Sequence, residues 1–380
     1  MIKICFVDED GRFGGPQVRM IETFQKIDKK KFKIQFLLPD NILIFKKKLK
    51  KINAKYSIIG LSVPSLHIKA ILNYLIKFPL ELIRLKKFFE NGKFDIIQAN
   101  GVPHFKTIIA AKLAKKKSVW IIEDTYSPKI LVSIFKFVAS LTDTKIVYIS
   151  KKVFEFYIKD SNLNHKNLNE IMSSIDSSYF KRKNQYKDNK NLILTTVSSI
   201  IPVKNVELFI EVANTVISKF ENIKFVFAGR PINTQREYYN KIQKKLFLLN
   251  DKIRKKIIFK GLVLDVKKLL NRADIFICTS SSEGGPMAVW EAMSMEIPVV
   301  TTKVGGTPQY IKNNYNGYLS NPGDEKSLSN NIIKLISDFK LRKKLGKQAR
   351  KTVLKKLDSK LMTKRYEKLY EKIYRDIYQQ

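Results

Sequence analysis

Glu283 and Glu291 stand eight residues apart in the stretch Thr279–Gly306, TSSSEGGPMAVWEAMSMEIPVVTTKVGG. A sheltered carboxylate accepts hydrogen bonds from vicinal hydroxyls, a feature shared by a ribose and a hexose. Gly284 and Gly285 leave backbone amides bare where a helix is expected to begin. Pro286 fits the first helical turn, where its missing N–H is not needed. Through Met287 and Ala288 the segment presents a helix N-terminus, which suits phosphate or sugar oxygens. A second turn, Lys303-Val304-Gly305-Gly306-Thr307, follows the next strand. Near the other end, Asp8-Glu9-Asp10-Gly11-Arg12-Phe13-Gly14-Gly15-Pro16 follows the first strand. Gly14 and Gly15 would let a diphosphate approach the backbone, although the spacing is not G-x-G-x-x-G and no P-loop lysine follows. A plain tight turn is the competing reading. So is a D-x-D pair holding Mg²⁺ or Mn²⁺. His104, in Asn100-Gly-Val-Pro-His, follows a strand and either lines a cleft or starts a helix at the surface.

The elements that would position these residues alternate along the whole chain. Short apolar, β-branched or aromatic runs at Lys3–Val7, Lys33–Leu38, Asp95–Gln98, Val119–Ile122 and Ile146–Ile149 predict strands in the first half. Leu192–Val197, Lys224–Ala228, Ile257–Lys260, Ile275–Cys278 and Pro298–Thr301 predict them in the second. Helical patterns separate the runs. This alternation argues for parallel sheets covered on both faces. Ligands of such sheets bind at the carboxyl ends of the strands, where both glycine loops fall. The length of 380 residues favours two domains. Lys181–Asn191, polar and without periodicity, is read as the hinge between residues 1–182 and 190–356. The basic, aromatic helical pattern over 361–378 is expected to pack back on the first domain.

The combination of strand, E-G-G-P, second glutamate, I-P-V-V and G-G-T-P resembles the retaining glycosyltransferases of family 4. These have the GT-B fold and an E-x7-E motif. The resemblance spans most of the chain and is strongest over 192–324. Val197–Asn205 looks like that family's strand-to-helix phosphate loop. Phe227-Ala228-Gly229, Gly261 and Asn316–Leu319 match further landmarks. The resemblance implies an α/β architecture of two Rossmann-like, doubly wound domains facing a central cleft. It implies a hexosyltransferase-like enzyme that moves a sugar from a nucleotide-sugar donor to a glycan or lipid-linked acceptor, with retention and without a metal, in bacterial-type surface polysaccharide assembly. The nucleotide-sugar is then a substrate, and no cofactor is expected. Lys204 would neutralise the diphosphate, Glu283 would face the sugar hydroxyls, and Glu291 would hold the ribose. Gly284, Gly285, Pro286, Met287 and Ala288 would line sugar and phosphate, and Gly14 and Gly15 would approach the diphosphate. The chain departs from the family at Ser199, where an arginine is usual, and at Glu123, beside Asp124, where a histidine is usual. Ser173–Asp176 and Gln309 also differ. Asn100, His104, Glu123 and Asp124 are the acceptor-side candidates.

Lys and Arg total 72 against 34 Asp and Glu, a net charge of +38. Biased codon usage, a surface suited to anionic membranes or substrates, and nucleic-acid binding all fit that number. The last ranks lowest, because the lysines are dispersed and no zinc-finger or RNP-like signature is present. A degenerate fold of the same type, binding polyanions or a membrane surface without transfer, is the alternative function. No apolar run is long enough to span a bilayer, and the first run reads as a buried strand rather than a signal peptide. Cys5 and Cys278 read as reduced core residues of a cytoplasmic protein. Pro64–Lys87 mixes large apolar residues with Lys69, Lys77, Arg84, Lys86 and Lys87, and its only acid is Glu81. Pro79 is expected to divide it into two short pieces. Such a pattern either lies on the inner face of the plasma membrane as a peripheral anchor or packs its apolar face on the sheet.

Overall fold

The computed structural model describes residues 1–10, 13–40, 42–62, 68–183, 188–232 and 235–378. The chain forms two compact units, Met1–Ser173 with Ser359–Gln380, and Ser174–Asp358.

The first unit is a parallel sheet of β1 (Ile2–Val7), β2 (Phe32–Leu38), β3 (Tyr56–Ile58), β4 (Ile96–Asn100), β5 (Lys117–Ile122), β6 (Lys145–Tyr148) and β7 (Leu168–Glu170), in the order 3-2-1-4-5-6-7. Its helices are α1 (Gly15–Lys26), α2 (Leu43–Lys51), α3 (Ile68–Asn91), α4 (Phe105–Leu113), α5 (Lys129–Leu141) and α6 (Lys151–Tyr157). Central strands such as β4 are buried at every position, as a sheet covered on both faces requires. Leu85 and Phe89 of α3 and Ala110 and Ala111 of α4 meet Cys5, Val7 and Ile97 in one core.

The second unit has β8 (Leu192–Val197), β9 (Ile223–Ala228), β10 (Ile257–Phe259), β11 (Ile275–Cys278), β12 (Val299–Thr302) and β13 (Tyr318–Ser320), in the order 10-9-8-11-12-13, all parallel. Around them lie α7 (Val206–Ile217), α8 (Arg236–Phe247), α9 (Asp251–Arg254), α10 (Val266–Leu270), α11 (Met287–Ser294), α12 (Thr307–Tyr310), α13 (Glu325–Ser337) and α14 (Phe339–Lys356). Both sheets are doubly wound. Each therefore has one switch point where the strand order reverses, between β1 and β4 and between β8 and β11.

The last helix, α15 (Ser359–Tyr378), belongs to the first unit. It buries Met362, Tyr366, Tyr370 and Ile373, and its Glu367 carboxylate accepts the Asp28 amide at 2.8 Å.

Two expectations are corrected. The units divide before Ser174, ahead of the polar stretch 181–191, of which residues 184–187 lie outside the described residues. The physical reason is that this approach is fastened to the second unit. Ser294 donates to the Phe180 carbonyl at 2.7 Å, and Arg182 donates to the Ala273 carbonyl at 3.3 Å. Pro79 does not break its segment: α3 runs unbroken from Ile68 to Asn91 with Pro79 inside. Pro79 and Leu75 are exposed, so water can take the Leu75 carbonyl that the missing N–H would have met. Pro64–His67 of that segment lie outside the described residues.

Candidate active site

In the second unit the switch point lies between the loop after β8 and the loop after β11. The β8 loop runs through Ser198 and Ser199 to Lys204 and Asn205. Gly229, after β9, holds it close: a Cβ there would lie 1.6 Å from the Ser198 carbonyl oxygen, so only glycine fits. Asn205 has φ +46, a left-handed setting that asparagine tolerates, and its side chain caps α7 by accepting the Leu208 amide. The β11 loop is tied across by Ser281, whose amide donates to the Val203 carbonyl at 2.9 Å. Thr279 adds side-chain bonds to the carbonyls of Lys204 and Asn205, at 3.2 and 3.0 Å.

These ties bring Lys204 and Glu283 into an ion pair with Nζ 2.5 Å from Oε1. Ser280 donates to the same oxygen at 2.8 Å. Both charged side chains stay partly open, at 22% and 13% exposure, so a ligand can reach them. Gly305 shapes the other wall. It has φ +49, and a Cβ there would lie 2.4 Å from the Gly284 carbonyl oxygen, so the second glycine turn lies directly against the first.

Past Glu283, Gly284 is buried and Gly285 partly open, Pro286 caps α11, and Met287 and Ala288 form its first turn. Glu291 is partly buried on α11, a rise of about 6 Å from Met287. Trp290 beside it is fully buried against Tyr310. Ser199 is exposed. Cys278 and Cys5 are free and buried, and burial pushes both thiols up, which suits inert core residues.

The first unit repeats the arrangement. The Glu9 amide, after β1, donates at 2.8 Å to Nε2 of His104, after β4. Nδ1 of the same ring lies 3.0 Å from the Gly101 carbonyl. Nε2 thus accepts the Glu9 amide while Nδ1 faces the Gly101 carbonyl, as a ring protonated on Nδ1 would. Burial opposes a charged ring, but Asp8 at 3.8 Å and Glu9 outweigh it and push the imidazole above its ordinary value. His104 is 3% exposed, so it is a buried bridge and not a surface histidine.

Gly14 caps α1, its amide bonded at 2.9 Å to the Gln17 side chain, and Gly15 opens the helix. Gly11 and Arg12 lie outside the described residues. Two acids of the triplet, Asp8 and Glu9, are turned into the fold, and Asp10 is half-buried. Asp8 is fully buried and takes Gln17 Nε2 at 3.2 Å on each oxygen. Burial pushes its carboxyl up, against the pull of His104. Glu9 accepts the Thr107 hydroxyl at 2.6 Å. Among the described residues no cluster of three or more His, Cys, Asp or Glu is placed to hold a metal ion.

The remaining acceptor-side candidates lie at the ends of β4 and β5. Asn100 donates to Glu123 at 3.2 Å and accepts from Gln98 at 3.1 Å. Arg19 of α1 pairs with Glu123, and the Tyr370 hydroxyl of α15 donates to Gln98. Glu123 keeps 10% exposure, so the chain Tyr370–Gln98–Asn100–Glu123 ends at a carboxylate still open to solvent. Asp124 instead braces its own loop, accepting from Tyr157 at 2.6 Å and from the Tyr126 amide at 3.1 Å. Arg19, Gln98, Tyr370 and Ser280 carry no motif. Only the run of three serines before Glu283 could have pointed to any of them.

The family described as Glycosyl transferases group 1 matches residues 177–352. An Escherichia coli UDP-Gal:alpha-D-GlcNAc-diphosphoundecaprenol alpha-1,3-galactosyltransferase is 24% identical over 293 residues, 70% of this chain and 72% of that protein. The Staphylococcus aureus capsular polysaccharide biosynthesis glycosyltransferase CapM is 27% identical over 172 residues, 45% of this chain and 44% of its own length. Among solved structures, Anabaena Alr3699/HepE in complex with UDP and glucose superposes with a TM-score of 0.83 at 18% identity, covering 98% of this chain and 100% of that one. A Rickettsia africae glycosyltransferase gives 0.80 at 19% identity, covering 98% of each chain.

Proposed function

We propose that this chain, with its GT-B-like α/β fold, is a glycosyltransferase of the group 1 type that moves a sugar from a nucleotide-sugar donor to a glycan or lipid-linked acceptor, with retention, in surface polysaccharide assembly. The observation that carries this reading is the Lys204–Glu283 pair at the switch point between β8 and β11, beside the amides that open α11. Transfer weakens the bond from the sugar anomeric carbon to the diphosphate oxygen while negative charge gathers on the departing diphosphate. A fixed cation and preorientated amides stabilise that charge best when already in place. In this reading Lys204 takes the diphosphate, Glu283 and Ser280 take sugar hydroxyls, and Glu291 takes the ribose. In this reading the step needs no metal.

Support for the donor class comes from the similar Anabaena protein, whose structure holds UDP and glucose. Support for the acceptor class comes from the E. coli relative, named for a diphosphoundecaprenol-linked substrate. We place the chain at the inner face of the plasma membrane as a peripheral protein. Among the described residues no helix is long and apolar enough to cross a membrane.

A thermal-shift panel of UDP-, GDP-, ADP- and CMP-sugars tests the donor reading. One nucleotide class should raise Tm and, with a lipid-linked glycan added, yield a glycosylated product in the presence of EDTA. Binding without product would leave the non-transferring alternative. No shift with any donor would overturn the proposal.

A further inference from the structure

A helix laid on a sheet ordinarily turns its apolar stripe inward. α3 does so over its second half, where Leu85 and Phe89 are buried. Its first half does the opposite. Leu72, Leu75, Ile76 and Leu80 are 54%, 59%, 75% and 61% exposed, while Glu81, a charge, points inward at 3%. Glu81 is held there by Lys106 of α4, whose Nζ is 2.6 Å from its carboxylate and 2.7 Å from the Ser62 carbonyl. That buried pair fixes the rotation of α3 with its apolar residues outward.

A second helix does the same. In α5, Phe135, Val138 and Ala139 take the inward side, and Ile130, Ile134, Phe137 and Leu141 form an exposed row with one residue per turn. α3 packs on α4 and α4 on α5. The crossovers β4–α4–β5 and β5–α5–β6 run in one direction along the sheet and so place their helices on one side of it. Two apolar stripes therefore share one side of the first unit. Lys69, Lys77, Arg84, Lys87, Lys112 and Lys129 are exposed on the same three helices. The acids of these helices are Glu81, buried on Lys106, and Glu90, paired with Lys86 at 2.9 Å.

We propose that this side of the first unit, α5 together with α3, is a docking face for an anionic lipid bilayer. The stripes enter the boundary of the acyl region and the cations meet headgroup phosphates. The inference rests on the membrane-borne acceptor proposed above and adds to it a surface and a second helix. Charge selects this occupant. A second copy of the chain would bring the same cations to an isologous contact and be repelled, whereas a phosphate-rich surface is complementary.

Sedimentation with phosphatidylglycerol–phosphatidylcholine vesicles, and with phosphatidylcholine vesicles alone, tests the face. Phe137→Glu and Leu75→Glu should each weaken binding to the anionic vesicles about tenfold or more, the scale of leaving one large apolar side chain unburied. Lys129→Gln should weaken it about fivefold. High salt should release much of the bound protein. All three variants should still transfer sugar to a soluble acceptor analogue, so loss of docking is distinguishable from loss of transfer. Phe137→Glu binding like the parent would overturn the role of α5. Equal binding of the parent to neutral vesicles would overturn the role of charge. A parent that ignores vesicles and elutes as a dimer split by Phe137→Glu would give the face to a second copy and overturn the proposal.

Discussion

Lys204 meets Glu283 before any donor arrives, so the two side chains act as a unit. In the proposed reaction the diphosphate would take the lysine from the carboxylate, and the sugar hydroxyls would then take the carboxylate in its place. Lys204→Ala should lower turnover about 10²–10³-fold, the scale for losing one preorganised stabiliser. Because the pair is coupled, the double variant Lys204→Ala/Glu283→Ala should lose less than the product of the two single losses. Steady-state rates of the four proteins check this, and multiplying losses would mean independent roles. Glu283→Gln removes the competitor for the lysine. It should leave free nucleoside diphosphate bound as tightly as before or more tightly, while transfer falls. Glu291→Ala should weaken the nucleotide itself. Calorimetric titration separates them, and equal loss in both would sink the division of roles. The loop residues Glu283 to Ala288 were legible in the sequence because glycine, proline and carboxylate chemistry is local. Arg19 and Glu123 lie 104 positions apart in the chain, and no spacing rule joins them until β1, β4 and β5 are side by side.

At the scale of elements, the strands found in the sequence are those that carry an apolar run, the three-residue edge strand Ile257–Phe259 included. The three missed, Tyr56–Ile58, Leu168–Glu170 and Tyr318–Ser320, are three-residue strands at sheet edges. Each carries a polar residue within its three positions, Ser57, Asn169 with Glu170, and Ser320, so none leaves an apolar run to read. α3 teaches the reverse lesson. Its pattern is amphipathic, but the pattern does not say which side turns inward, and the side is set by Glu81 and Lys106 across 25 residues. Lys106 is fully buried. Lys106→Met leaves Glu81 bonded to the Ser62 amide and hydroxyl but without its countercharge, and should destabilise the first unit by about 3–5 kcal/mol. Urea unfolding checks it. A change below about 1 kcal/mol would mean that water already reaches Glu81.

At the scale of the molecule, each unit holds one buried tryptophan, Trp120 in the first and Trp290 in the second. Variants with either replaced by phenylalanine would report the units separately by fluorescence. A chain ended after Asp358 lacks the helix that supplies Tyr366, Tyr370 and Ile373 to the first core. Such a chain should lose the Trp120 transition and keep the Trp290 transition. Two intact transitions would show α15 to be dispensable. The repeated strand–helix alternation made two units legible, but the cut at Ser174 was not, because Ser294 and Arg182 fasten the preceding polar stretch from far along the sequence. The return of α15 also sets an order of assembly. Domains form as units while the chain leaves the ribosome. The second unit is continuous from Ser174 to Asp358, whereas the first waits for a helix that begins at Ser359. The half that emerges first is thus completed last, and until then the sheet surface destined for α15 is open to chaperones and to proteolysis.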